Sequence, residues 1–259
     1  MFELSQMAGL ACVFMRMTGC ILFNPIFGRK NIPIQFQIGV TLALSMMIFT
    51  YADVKVDFAG PFLVTFVILL KEIFVGFVMG ATVSLFIYVV LLGGEFIDLQ
   101  MGLSMSRLYD PQSGVQMSVN ATFFNMMFVF MFFGMNGHLT LIHLFIDSAE
   151  LIPYGQTAFA SQELAAKILD VFCQCTTLGI KMAMPILGME FLLEMGVGIL
   201  MKTIPQINVF VVNLQVKILT GLVMLGVIFT PLSNYIEQII KSLFQTMGEV
   251  MLLMKLPLT

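Results

Sequence analysis

Two carboxylates three residues apart, Glu95 and Asp98, stand in the run Gly94-Glu95-Phe96-Ile97-Asp98-Leu99-Gln100-Met101-Gly102. On a helix Glu95, Asp98 and Gly102 share one face, an acidic strip beside a bare patch where another backbone can approach. Such a strip suits a proton or ion relay across a membrane, but no further carboxylates on neighbouring segments extend it, so the relay is the weaker reading. Other chemistry finds less support. His138 and His143 are five residues apart, off the i,i+4 spacing of paired metal ligands. Cys173-x-Cys175 lacks a second pair, and Cys12 and Cys20 lie in apolar segments where a thiol behaves as a small hydrophobe. There is no Gly-rich phosphate loop and no Ser nucleophile elbow. The expectation is a non-enzymatic chain with no metal and no cofactor.

The elements that carry these residues are set by composition. The 259 residues are 59% hydrophobic and 10% charged, against roughly 25% charged in soluble domains. A net charge of -3 gives no basic footprint for nucleic acid. Seven apolar stretches follow one another: Met7 to Phe27, Pro33 to Tyr51, Phe62 to Gly94, Val119 to Ile146, Ile168 to Met201, Asn208 to Ile228 and Leu232 to Met254. Most are long enough to cross a bilayer, which takes about 20 helical residues, and helices are the form that satisfies an open backbone in lipid. An all-α integral membrane protein follows.

Three features depart from a simple bundle of spans. Phe62 to Gly94 is 33 residues long, about 50 Å of helix against a hydrocarbon core of about 30 Å. Lys71, Glu72, Asp170, Lys181, Glu190 and Glu194 fall inside apolar stretches and must face protein or water. From Leu232 to Met254 the apolar residues recur in steps of three and four, with Asn234, Glu237, Gln238, Lys241, Gln245 and Glu249 opposite. That is an amphipathic helix and, after Thr230-Pro231, the second arm of a helical hairpin over residues 208 to 254. Gly76-x-x-x-Gly80 allows close helix approach.

Two polar interruptions stand out. After Gly102 come Leu103-Ser104-Met105-Ser106-Arg107-Leu108-Tyr109-Asp110-Pro111-Gln112-Ser113-Gly114, where Asp110-Pro111 breaks a helix and leaves a polar loop over about 104–118. Such a loop is either a solvated connection or a segment folded into a cavity, since non-helical backbone at membrane depth is tolerated where it lines water or is buried in protein. The second interruption is Lys202-Thr203-Ile204-Pro205-Gln206-Ile207-Asn208-Val209-Phe210, a proline-punctuated bend.

Together these motifs resemble the FliR family of flagellar export-apparatus proteins, related to the SpaR/SctT proteins of virulence type III secretion. The residues that carry the resemblance are Gly94, Glu95, Asp98, Gln100 and Gly102 with Asp110-Pro111, then Pro205, Gln206, Asn208 and Phe210, and early Arg16 with Asn24-Pro25 and Pro33. Lys202 stands where the family pattern has Arg. The resemblance implies an export-gate subunit of the bacterial inner membrane and flagellar basal body, assembled with FliP-like and FliQ-like subunits and an export-switch protein similar to FlhB. It implies helical hairpins packed in a hetero-oligomer and partly held above the bilayer plane. Residues 1–200 would be a FliP-like portion and 201–259 a FliQ-like hairpin. The loop, with Met105, Ser106, Arg107, Asp110, Pro111, Gln112, Gly114 and Met117, would plug the closed pore against unfolded flagellar substrates. The 23 methionines would suit a seal that re-packs around varied chains. The alternative from a different class is a secondary transporter of a small solute coupled through Glu95 and Asp98.

Overall fold

The computed structural model describes residues 4–29, 32–52, 54, 56, 62–104, 118–155, 161–203 and 209–254. Among these the elements are all α-helical: α1 Leu4–Leu22, α2 Ile34–Ala52, α3 Phe62–Met101, α4 Val119–Gly134, α5 Gly137–Leu151, α6 Ser161–Thr203, α7 Val209–Val227 and α8 Phe229–Met254. The apolar runs thus became helices, and the chain is an all-α membrane protein with, among the described residues, three helices long and apolar enough to cross a bilayer, or up to five if each bent pair is one span.

Two elements differ from the sequence expectation. The stretch from Val119 to Ile146 is not continuous. It breaks at Met135-Asn136, where Asn136 takes a left-handed conformation with φ 57 and its carbonyl accepts from Leu139 N and Thr140 N at 2.9 and 3.2 Å to start α5. The Asn-Gly pair at 136–137 was the available signal, masked by the apolar run around it. Because left-handed backbone costs a side chain with a Cβ branch about 1–2 kcal/mol, Asn136→Val is expected to lower stability by about that amount, while Asn136→Gly leaves thermal unfolding unchanged. The second difference is length. α3 runs to Met101 and is 40 residues long, and α6 is 43, carrying Pro185 within it.

The chain packs as two compact units. The first holds Met1–Phe86, Met135–Phe172 and Lys241–Thr259. In it α1 lies against α3 through small residues: a Cβ at Gly76 would sit 2.1 Å from the Arg16 carbonyl oxygen, and one at Gly80 3.1 Å from Phe23. The Gly76-x-x-x-Gly80 pattern therefore seats α1, and Ser84 Oγ closes the contact by donating to the Phe23 carbonyl at 2.8 Å. The last turns of α8 bury Leu243, Met247, Val250, Met251 and Met254, while Glu249 on the polar side pairs with Lys167 of α6 at 2.7 Å.

The second unit holds Ile87–Gly134 and Cys173–Ile240. Here α3 and α6 meet at Gly93 and Gly179, where a Cβ on Gly93 would come within 3.2 Å of the Gly179 carbonyl oxygen. Phe124, Phe128 and Phe132, each four residues on, form the wholly buried stripe of α4. Leu232, Ile236, Ile239 and Ile240 bury the first turns of α8, and Tyr235 donates to the Leu178 carbonyl at 3.2 Å. The expected amphipathic face of α8 is thus covered by its own chain. Between α7 and α8 the chain turns through 67° at Ile228.

Apolar surface remains uncovered elsewhere. Of the apolar window of α2 only 17% is buried by the rest of the chain, and of α6 only 11%, against 61% for α3. Ile34, Phe36, Met46, Met47 and Tyr51 on α2, and Leu192, Met195 and Ile199 on α6, are more than half exposed. At roughly 25 cal/mol per Å², faces of this kind require lipid or other helices against them.

Candidate functional site

The second unit positions the carboxylate motif at the C-terminal end of α3. Asp98 is 1% exposed, and its Oδ1 accepts from Asn120 Nδ2 at 2.5 Å and from Asn120 N at 3.3 Å. Asn120 Nδ2 also lies 3.5 Å from Met101 Sδ. Two residues before, Ser118 caps α4: its Oγ accepts from Ala121 N at 2.9 Å, the bond that satisfies an otherwise orphan first-turn donor. Gly94, one turn earlier on α3, makes the approach of α4 feasible, since a Cβ there would sit 2.4 Å from Ala121 Cα and N.

The result is a clasp. It joins the C-terminal end of α3 to the first turn of α4. Gly102 contributes differently from the sequence expectation. It is not on the helix face but just past its end, at φ +80, donating to the Leu99 carbonyl at 3.2 Å as a left-handed helix stop. The bare patch is Gly94. The expected acidic strip is also divided by its surroundings, because Glu95 is exposed where Asp98 is buried, and Gln100 is half-buried.

Removing the acceptor leaves Asn120 N and Nδ2 inside the protein without Asp98 Oδ1, which costs about 1–3 kcal/mol. Asp98→Ala is accordingly expected to speed amide exchange at residues 118–121 while leaving exchange in α8 unchanged.

The first unit contains a second polar centre, built on Arg16. Its side chain is fully buried, as is that of Glu72. Arg16 Nε donates to Glu72 Oε2 at 2.7 Å and Nη1 to the Ser148 carbonyl at 2.8 Å. The guanidinium lies 3.9 Å from the centroid of the Tyr154 ring, a cation over a π-face. Glu72 Oε1 accepts from Gly155 N at 3.0 Å. Burial pushes the Tyr154 hydroxyl up to about 12 against the pull of the Arg16 charge, so the ring stays neutral at physiological pH. One ion pair therefore ties α1, α3, the end of α5 and the turn at 152–155. The sequence pointed to Arg16 but gave Glu72 only as a charge in need of shelter. Nothing local pairs them, since Lys71 adjoins Glu72 and other acids also lie in apolar stretches.

Of the remaining expected residues, Lys202 is exposed in the last turn of α6, where a cation offsets the helix dipole, and Phe210 is in the first turn of α7. Met105, Ser106, Arg107, Asp110, Pro111, Gln112, Gly114, Met117, Pro205, Gln206 and Asn208 lie outside the described residues. Among the described residues no three His, Cys, Asp or Glu side chains gather as metal ligands would.

Residues 7–243 match the family of bacterial export proteins, family 1. The chain is 29% identical to the flagellar biosynthetic protein FliR of Bacillus subtilis over 247 residues, 93% of each chain. With FliR of Escherichia coli K12 it shares 26% over 245 residues, 91% of this chain and 90% of that one. With FliR of Pectobacterium carotovorum it shares 25% over 245 residues, 92% and 90%. The buried Arg16 centre, the carboxylate clasp and nearly the whole helical frame lie within the matched span, and the chain belongs to the bacterial export proteins, family 1, as a member of the FliR family.

Proposed function

We propose that this chain is a subunit of a flagellar protein export gate in the bacterial inner membrane and basal body, forming with FliP-like and FliQ-like subunits a pore for unfolded flagellar proteins. The polar loop over 104–118 closes that pore at rest. The observation that supports this reading is the clasp between Asp98 and Asn120: it joins the end of α3 to the start of α4, the two helices that flank the loop. A plug needs a rigid base and a segment that can leave its seat, and this arrangement supplies the base.

The uncovered faces of α2 and α6 support a hetero-oligomer. Partner helices, including those of an export switch similar to FlhB, and lipid cover those faces. In this reading residues 1–200 correspond to the FliP-like portion and 201–259 to the FliQ-like hairpin, part of the assembly stands above the bilayer plane, and Lys202, Pro205, Gln206, Asn208 and Phe210 make assembly contacts. Met105 and Met117 seal the closed pore through adaptable thioether packing, and Ser106, Arg107, Asp110, Pro111, Gln112 and Gly114 shape the plug. The transporter alternative asks Glu95 and Asp98 to act together as coupling groups, yet Glu95 is exposed where Asp98 is buried against Asn120.

Affinity purification of the tagged full-length chain from membranes is expected to bring FliP-like and FliQ-like subunits in fixed proportion. Proton-coupled solute uptake by the isolated chain in liposomes would overturn the reading.

A further inference from the structure

Within the second unit, α6 and α7 carry a row of charges in an otherwise apolar setting. Glu190 and Glu194 are one turn apart on the same face of α6, and Lys217 of α7 contacts Glu194 Oε1. Glu190 is fully buried, and neither of its carboxylate oxygens has a hydrogen-bond partner among the described residues. The charged groups that act on Glu190 are Lys217 and Glu194. One ammonium thus serves two carboxylates. With both ionised the row carries a buried net negative charge, and the uncompensated member is the one with no donor at either oxygen, the arrangement that a low-dielectric interior penalises most.

We propose that Glu190 is a proton-binding site. A proton from water forms an O–H bond on the Glu190 carboxyl, leaving a neutral acid beside a neutral Glu194–Lys217 pair, so the row as a whole carries no net charge. Loss of that proton leaves Lys217 shared between two carboxylates.

The site reaches the loop base through α7. Gly221, one turn after Lys217, is packed so closely that a Cβ there would be 2.5 Å from Met101 Cε, and Leu214 Cδ1 would be 2.9 Å from a Cβ on Gly102. A Lys217 drawn away from Glu194 shifts the helix that rests on the end of α3. The site stands whether or not the loop plugs a pore.

Infrared spectroscopy of the full-length chain, purified with its partner subunits, tests the proposal. At neutral pH the wild type is expected to show a protonated-carboxyl C=O stretch that disappears in Glu190→Gln, is also lost in Glu194→Gln because the freed Lys217 then compensates an ionised Glu190, and bleaches on alkaline titration. Amide exchange in α7 is expected to rise over the same titration in the wild type and not in Glu190→Gln. Identical carboxyl spectra for the wild type and Glu190→Gln, or loss of the band only in Glu194→Gln, would overturn it. Should Glu190→Gln fail to accumulate, the wild type with carbon-13 glutamate decides: a protonated glutamate carboxyl at neutral pH supports the site, and its absence overturns it.

Discussion

Arg16→Met is expected to destabilise the chain by about 3–5 kcal/mol, the cost of removing one partner from a buried ion pair. The loss is large because it is not confined to one contact. Glu72 keeps its bond from Gly155 N at Oε1, but its charge stays buried with no cation beside it, and the Ser148 carbonyl loses its Nη1 donor. The Tyr154 ring loses the cation above it. Against a typical total stability of about 5–15 kcal/mol, such a change is a large fraction of the whole. The double variant Arg16→Met/Glu72→Leu is expected to recover much of the loss, since apolar replacement of a whole buried pair is often neutral or stabilising by about 1–4 kcal/mol. Thermal unfolding of the detergent-purified variants checks both. A single variant as stable as the wild type would show that Glu72 is not held as an ion in the interior.

This pair illustrates what the sequence can and cannot convey. Helix existence was legible, because an apolar run of twenty or more residues in a membrane chain has few other outcomes. The buried face of α8 was legible from steps of three and four. So was the seat of α1 on Gly76 and Gly80, although the pattern does not say which helix arrives. Contacts between residues far apart in the chain were not legible: Arg16 and Glu72 are separated by 56 positions and Asp98 and Asn120 by 22, and no local rule relates them. The same limit applies to Gly94 and Gly102. Both are glycines in one motif, yet one admits the backbone of α4 and the other supplies a left-handed helix stop. The break at Asn136 is a different case, where a local turn signal stood within a strongly apolar run and the hydrophobic pattern outweighed it. The orphaned carboxyl of Glu190 belongs to the first kind, since its isolation follows from where Lys217 is placed.

The second large effect concerns the loop. Deleting residues 106–117 leaves Ser118 to cap α4 and Asp98 to hold Asn120, so the described frame at the loop base is retained and only the closing segment is lost. Co-purification with the partner subunits is expected to be unchanged. Under the proposed function, what changes is the resting state of the pore, because the loop is the part of this chain proposed to close it. The Asp98→Ala variant gives a weaker form of the same effect, as it loosens the base while keeping the plug. Ion conductance of the assembled complex in planar bilayers, wild type against the deletion of 106–117, is the most direct measurement. The wild-type complex is expected to be closed and the deletion complex to leak steadily; an intact deletion complex that conducts no more than the wild type would contradict the plug.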